Sequence, residues 1–313
     1  MKKNTDIKFN YIVTIHNKQD IIGKVILNII ACMNSNSTLY PVLDGCTDDS
    51  EEIIDQIIKT HPNKDIKKIY AADVHELKSI NEGLRNSDQS GVGYNIILQD
   101  DVVLKAFDIE KKIIELYSQR PNLGLVSFRQ GGNISRNLIK KNTALPPITN
   151  RIENIKGHNY NPFSVLQLGC FTYREVVIKS PICIPFEVIN IIGLPDETYA
   201  PWDDLGYCYS ALKAGFDNGI YAIDFESDVS WGTTRTKKQK VSVSEVEKKN
   251  ILIFKTRHRI EILSNRKNKI YNNKVYLIHN SPAVVHDNIN FINGVKAYLK
   301  SRIRYFLNVL FSK

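Results

Sequence analysis

Over its first 130 residues the chain alternates short apolar runs with segments whose apolar residues recur every three or four positions. That rhythm is what a parallel sheet covered by helices requires. Phe9–Ile15 reads as the first strand. Asn17 and Asp20 stand where they would cap a helix whose apolar face is Ile21, Ile22, Val25, Ile26, Ile29, Ile30 and Met33. Leu39–Leu43 is the second strand. Ser50 is placed to cap a second helix, with Glu51 and Glu52 at its positive end and Ile53, Ile54, Ile57 and Ile58 facing inward. Ile66–Ala71 is a third strand; Leu77, Ile80 and Leu84 keep helical spacing as far as Asn86. Tyr94–Leu98 is the most convincing buried strand, and it runs straight into Gln99-Asp100-Asp101.

Beyond this point the rhythm loosens. From Arg129 to about Asn161, with Gly131-Gly132 and Pro146-Pro147, no period is sustained, and the stretch reads as a long loop placed to act as a lid. Gln167–Tyr173 and Gly219–Phe225 are strand-like. Between them Pro201-Trp202-Asp203-Asp204 opens a helix that runs through Leu212 and stops at Gly215. A length of 313 residues suits about two domains, or one with an extension.

Charge is distributed unevenly. Residues 1–231 carry 24 Lys and Arg against 29 Asp and Glu, a net −5, whereas residues 232–313 carry 18 against 4, a net +14. The C-terminal part therefore expects an anionic partner or is a solvated basic surface. That partner would be nucleic acid, an acidic membrane surface or a phosphorylated substrate, and nucleic acid is not the expected one, because the tail carries no recognised nucleic-acid motif. Five cysteines without a C-x-x-C pair argue against a disulfide framework and a zinc ribbon. The apolar stretch Tyr11–Ile15 is too short for a signal-peptide core, and no run reaches the roughly 18–20 apolar residues of a spanning helix. A cytoplasmic location is expected, with peripheral contact on the cytoplasmic face of the membrane left open.

The chemistry must rest on acids. Neither G-x-G-x-x-G nor a Walker sequence occurs, and G-x-S-x-G, H-E-x-x-H and the kinase signature are also absent. Asp100-Asp101 is either a helix N-cap pair or a site for a hard divalent cation, since adjacent carboxylates at the end of so apolar a strand repel unless neutralised, and Mg2+ or Mn2+ prefers such oxygens and bridges phosphates. Asp203-Asp204 has a capping alternative too, but a cap explains only one of the two.

Five segments together resemble a family 2 glycosyltransferase of the GT-A fold. Tyr11-Ile-Val-Thr-Ile-His-Asn17 is similar to that family's first strand and turn, and Asp44-Gly-Cys-Thr-Asp48-Asp-Ser50 to its Asp-Asp-Gly-Ser-Thr-Asp segment. Asn81-Glu-Gly83 resembles its Asn-x-Gly helix, and Gln99-Asp100-Asp101 its D-x-D region. Asp203-Asp204-Leu-Gly-Tyr-Cys-Tyr-Ser-Ala-Leu-Lys-Ala-Gly215 resembles the acidic base motif and its helix. Leu43, Gln99 and Gly206 stand where the family often has acids. No Q-x-x-R-W segment is present, which argues against a processive synthase.

The resemblance implies an α/β GT-A fold, a mostly parallel central sheet flanked by helices, with a basic C-terminal helical extension. It implies a catalytic domain over 1–232, divided into a nucleotide-sugar half (1–105) and an acceptor half (106–232), and an extension over 233–313. The implied activity is inverting, metal-dependent transfer of one sugar from a nucleotide-sugar donor to a saccharide or lipid-linked acceptor, in surface polysaccharide or glycolipid assembly. Thr14, His16 and Asp44 would lie against the donor nucleoside, Asp100 against the ribose or a metal-bound water, and Asp101 on Mn2+ or Mg2+. Asp204 would be the general base, with Asp203 beside it. A GT-A-like protein that binds sugar or nucleotide without catalysis is the alternative.

Downstream of Trp231, Thr233–Lys240 reads either as a solvated loop or as a flap whose Arg235 or Lys237 closes on the donor diphosphate. His279 and His286 are candidates for a further metal ligand. The last helix, about Asn290–Phe311, is basic and amphipathic; it either docks on the catalytic domain or lies on an anionic membrane.

Overall fold

The computed structural model describes residues 7–156, 164–199, 202–227, 237–264, 274–278 and 284–286. The N-terminal half runs β1 (Lys8–Ile15), α1 (Ile22–Cys32), β2 (Ser37–Asp44), α2 (Ser50–Thr60), β3 (Asp65–Ile66), β4 (Ile69–Ala71), α3 (Glu76–Asn86) and β5 (Gly93–Gln99). This is the expected alternation, with the third strand split in two. Strands β1 and β2 are buried along almost their whole length, as strands covered on both faces must be.

The expected helix caps are not made. Position Ile21 precedes α1 and Asp49 precedes α2, neither with a side-chain capping bond. The polar residues instead tie the two loops together. Asn17 Oδ1 accepts from Thr47 N at 2.8 Å, Ser50 Oγ from Lys18 N at 2.9 Å, and Asp48 Oδ2 from Gln19 N at 2.9 Å.

The chain continues through β6 (Val103–Leu104), α4 (Ile109–Gln119), β7 (Leu123–Ser127), β8 (Gln130–Ile134), α5 (Arg136–Lys140), β9 (Ile148–Asn154) and β10 (Val165–Leu166). There follow β11 (Cys170–Tyr173), β12 (Val176–Ile178), β13 (Ile182–Pro185), α6 (Phe186–Ile192), α7 (Asp203–Lys213), β14 (Asp217–Tyr221), β15 (Phe225–Glu226), α8 (Lys237–Ser264), β16 (Val275–Leu277) and β17 (Val284–His286). The main sheet has the order β17-β16-β11-β14-β7-β13-β5-β1-β2-β3, with β4 also on β2. Strands β5, β1, β2, β3 and β4 are mutually parallel, as are β7 and β14, while β13 runs antiparallel to both neighbours.

Two expectations are corrected. The stretch after Arg129 is not a lid loop: β8 and β9 pair there and, with β10 and β12, form a second sheet. Its glycines are contact residues. A Cβ on Gly131 would lie 2.5 Å from Val176 O, and one on Gly132 would lie 2.4 Å from Ile148 Cγ2. The expected flap also differs. Residues 233–236 lie outside the described residues, but Lys237–Lys240 begin the 28-residue helix α8. Further along α8, Ile251, Phe254 and Ile262 are buried, with Phe254 edge-on to Tyr209 of α7 at 5.9 Å.

Helix α3 approaches the sheet so closely that a Cβ on Gly83 would lie 2.4 Å from Ile12 Cγ2 and 3.1 Å from Val42 Cγ2. Gly83→Ala is therefore expected to cost about 1–3 kcal/mol, because core strand atoms must move. Gly23→Ala in α1 meets only Ile53 Cγ2 at 3.4 Å. It should be neutral or gain up to about 1 kcal/mol of helix propensity. Urea midpoints at equal m-value check both, and a Gly83→Ala midpoint at or above that of the unsubstituted protein would refute the packing.

Candidate functional site

In a parallel sheet the loops after successive strands gather at the carboxyl edge. Here β1 ends before His16, β2 at Asp44, β5 before Asp100-Asp101, and β7 two residues before Arg129. Strand β13 enters from the opposite direction. Its first residue Ile182 lies opposite Ile97 and Ser127, so the residues just before it, Lys179 and Ser180, also arrive at this rim.

Asp100 and Asp101 occupy a turn closed by Val102 N donating to Gln99 O at 3.2 Å, and no helix begins there, so the N-cap alternative falls. Asp100 Oδ2 accepts from His16 N at 3.0 Å, and Oδ1 lies 3.7 Å from Lys18 Nζ. Burial pushes the Asp100 carboxyl up to about 6, with Asp101 and Glu76 adding to it against the pull of His16 N–H and Lys18. Burial also raises Asp101, opposed by Arg129 and Lys18. Asp101 Oδ1 is buried and has no hydrogen-bond partner among the described residues.

The residues expected against the nucleoside share this edge. Thr14 is buried in β1, paired with Val42 on one side and Gln99 on the other. His16 Nδ1 donates to Asp44 O at 2.6 Å, which places the ring proton on that nitrogen, since a carbonyl only accepts. Asp44 Oδ1 accepts from Val74 N at 2.7 Å. The turn that follows Asp44 depends on Gly45, whose φ of +62° and 2.7 Å approach to Asp73 Cβ exclude a side chain.

Asp203 and Asp204 open α7, but neither caps it. Both turn to one residue: Asp203 Oδ2 accepts from Lys179 Nζ at 2.6 Å, and Asp204 Oδ1 from Lys179 N at 3.2 Å. Burial and the adjacent Asp203 push the Asp204 carboxyl well above the usual range, against the pull of Lys179. Burial alone would lower Lys179, yet Asp203, Glu76 and Asp204 outweigh it and hold the ammonium above its ordinary value.

A chain of contacts joins the two acidic pairs. Glu76 Oε1 accepts from Gln99 Nε2 at 2.8 Å and lies 3.9 Å from Lys179 Nζ. Ser180 Oγ accepts from Gln99 N at 2.7 Å, and Ser180 O accepts from Arg129 Nε at 2.7 Å. Gln99, where the resembling family often has an acid, thus serves as a donor to Glu76. Asn81 Nδ2 donates to Pro195 O at 3.0 Å and Glu197 Oε1 at 2.8 Å, fixing the approach to α7.

Sequence reasoning missed Lys18, Glu76, Arg129, Lys179 and Ser180, because no local pattern marks residues that meet only through strand order. Arg235, His279 and the expected helix over 290–311 lie outside the described residues, as do the side chains of Lys237, which begins α8, and His286, in β17.

No protein-family model and no curated protein matches the sequence. Solved structures match in shape. TarS of S. aureus, residues 1–349 in complex with UDP-GlcNAc, has a TM-score of 0.50 at 14% identity, over 82% of this chain and 72% of that one. The same fragment with UDP gives 0.49 at 13% identity, over 84% and 74%. The mannosyltransferase PcManGT from Pyrobaculum calidifontis, in complex with GDP-Man and Mn2+, gives 0.48 at 14% identity over 69% of this chain; the chain spans only 55% of that protein. The first likeness and the observed topology give the expected fold class, an α/β GT-A fold with a mostly parallel central sheet flanked by helices.

Ser180→Ala should leave the inward Gln99 N–H unsatisfied and cost about 1–3 kcal/mol. Because Gln99 leads directly into Asp100, amide hydrogen exchange at residues 99–102 should accelerate in the same variant. Unchanged unfolding free energy and exchange would mean that this hydroxyl does not hold the strand end.

Proposed function

We propose that the chain is an inverting, metal-dependent, non-processive family 2 glycosyltransferase. It moves one sugar from a nucleotide-sugar donor to a hydroxyl of a saccharide or lipid-linked acceptor, in surface polysaccharide or glycolipid assembly. The observation that carries this reading is the placement of two acidic pairs, Asp100-Asp101 and Asp203-Asp204, on one rim and their connection through Gln99, Glu76 and Lys179. Chemistry of this kind needs a cation beside the anionic leaving group, which one acidic pair could hold, and a carboxylate for the nucleophile's proton.

The donor side fits a divalent cation in one specific way. Among the described residues no three His, Cys, Asp or Glu side chains form a self-sufficient cation site. Asp101 Oδ1, which has no hydrogen-bond partner among the described residues, could hold an ion whose other ligands would come from a bound diphosphate. Bound there, Mn2+ or Mg2+ would supply Lewis-acid neutralisation of the departing diphosphate. Thr14, His16 and Asp44 would border the nucleoside and Asp100 the ribose.

On the acceptor side Asp204 takes the hydroxyl proton as the oxygen attacks the anomeric carbon. The bond from that carbon to the diphosphate breaks on the opposite face, so the configuration inverts and a nucleoside diphosphate leaves. The raised proton affinity of Asp204 suits a base working near neutral pH. The proposed catalytic domain is 1–232. No helix among the described residues is long and apolar enough to cross a membrane, and a basic C-terminal segment meeting an anionic membrane would bring the enzyme to lipid-linked acceptors.

Thermal-shift titration with UDP and GDP, with and without Mn2+, tests the donor assignment, because a ligand that binds only the folded state raises its melting temperature. Asp101→Asn should abolish the Mn2+-dependent part of the shift without lowering the ligand-free melting temperature, since it removes a buried charge. An undiminished Mn2+-dependent shift would sink the metal assignment. A shift without turnover of UDP-GlcNAc, GDP-Man or other nucleotide-sugars would favour the non-catalytic alternative.

Asp204→Asn should reduce transfer by roughly 10²–10⁴-fold at saturating donor while leaving donor affinity nearly unchanged. Asp203→Asn should cost less. The opposite ranking would exchange the two roles.

A further inference from the structure

Lys179 is the point at which the two halves of the rim meet. Its side chain is 15% exposed, it faces Asp203, which is 6% exposed, across 2.6 Å, and Glu76 stands 3.9 Å away on the other side. Its own N–H is spent on Asp204 Oδ1 at 3.2 Å. The next residue, Ser180, holds Gln99 N at 2.7 Å, one residue before Asp100. Two consecutive residues thereby set the separation between the base helix and the strand end that carries Asp100 and Asp101.

The contacts are unequal. Asp203 receives the ammonium; Asp204 receives only a neutral backbone donor. We propose that Lys179 is a positioning residue that separates the roles of the two aspartates, fixing Asp203 in an ion pair and turning Asp204 so that it is the carboxylate left to receive a proton. This rests on the reading of Asp204 as the base, and it goes further by assigning the selection between two adjacent acids to one residue, whose ammonium pairs with Asp203 and whose backbone N–H orients Asp204.

The charged and titratable groups facing Asp204 are Asp203 and Cys208 on its own helix, Lys179 before β13, and Glu76 from α3. Of these only Lys179 is cationic. Its removal leaves Glu76, Asp203 and Asp204 facing one another, and like charges hold protons to higher pH. The backbone N–H survives any side-chain substitution, so a variant separates the ammonium from the orienting contact.

The test is a pH titration of ligand-free protein labelled with [13Cγ]aspartate, the resonances being assigned by their loss in Asp203→Asn and Asp204→Asn. In Lys179→Met the upper titration step of the Asp203–Asp204 pair should move upward by about one to three pH units. Lys179→Arg should largely restore it. Glu76→Gln, which keeps the lysine, should move the step downward and serves as the deciding variant if Lys179→Met does not fold. An unmoved step in folded Lys179→Met, or in Glu76→Gln, overturns the proposal.

With nucleotide-sugar as substrate, the acidic limb of kcat/KM should follow the same shift at unchanged donor affinity. If the titration moves as expected but the unsubstituted protein turns over no nucleotide-sugar, the positioning of the pair stands and the transferase reading fails. If turnover is found but the limb and the titration stay fixed in Lys179→Met, the reverse holds.

Discussion

One reversed strand organises the candidate site. Were the sheet uniformly parallel, every loop at the carboxyl edge would lead away from it into a helix. Because β13 runs against β5 and β7, the residues that precede it are delivered to the edge where the others end. Lys179 and Ser180 reach the rim for this reason alone, and through them the ends of β5, β7 and α7 become mutually fixed. The reversal supplies the Lys179 ammonium to Asp203 and the Ser180 hydroxyl to Gln99 N, one residue before Asp100.

Behind the rim, the C-terminal part of the described chain acts as a brace. Phe254 and His258 of α8 pack against Tyr209 of α7, with ring centroids 5.9 and 4.9 Å away. Lys213, in the last turn of α7, lies 3.8 Å from Glu261. Helix α7 is thus held by aromatic contact along its length and by Lys179 at its first turn. The strongly basic segment is, over α8, a support whose buried Ile251, Phe254 and Ile262 serve the fold, while Lys248, Lys249, Arg257 and Arg259 remain exposed.

How much of this was legible in the sequence follows from the range of the interactions. Strands β1, β2 and β5 and helices α1 to α3 were readable because their periodicity is local, and Asp100-Asp101 because a buried strand ending in two acids is conspicuous. The second sheet was not readable, since Gly131 and Gly132 look the same whether they loosen a loop or let strands approach to contact. The capping assignments for Asn17 and Ser50 failed for a related reason: a side chain able to cap its own helix can equally bond to a neighbouring loop, and tertiary placement decides between them. Lys179 lies more than twenty residues from Asp203 and about a hundred from Glu76, with nothing in its own vicinity to mark it.

The charges that gather on the rim make a final constraint. Glu76, Asp100, Asp101, Asp203 and Asp204 sense one another or share partners, and the cations facing them among the described residues are Lys18, Arg129 and Lys179. Lys179 is paired with Asp203, and Arg129 is bound to Ser180 O. On the proposed reading, a diphosphate approaching Asp100 and Asp101 would bring further negative charge to carboxylates already held away from water. Anion and carboxylates cannot share that space favourably unless a cation joins them, and Asp101 Oδ1 is the acceptor left without a partner among the described residues. The charge balance is in keeping with the proposed reading: a divalent ion held with a nucleotide would neutralise carboxylates and diphosphate that otherwise repel, while Asp203 keeps its ion pair with Lys179.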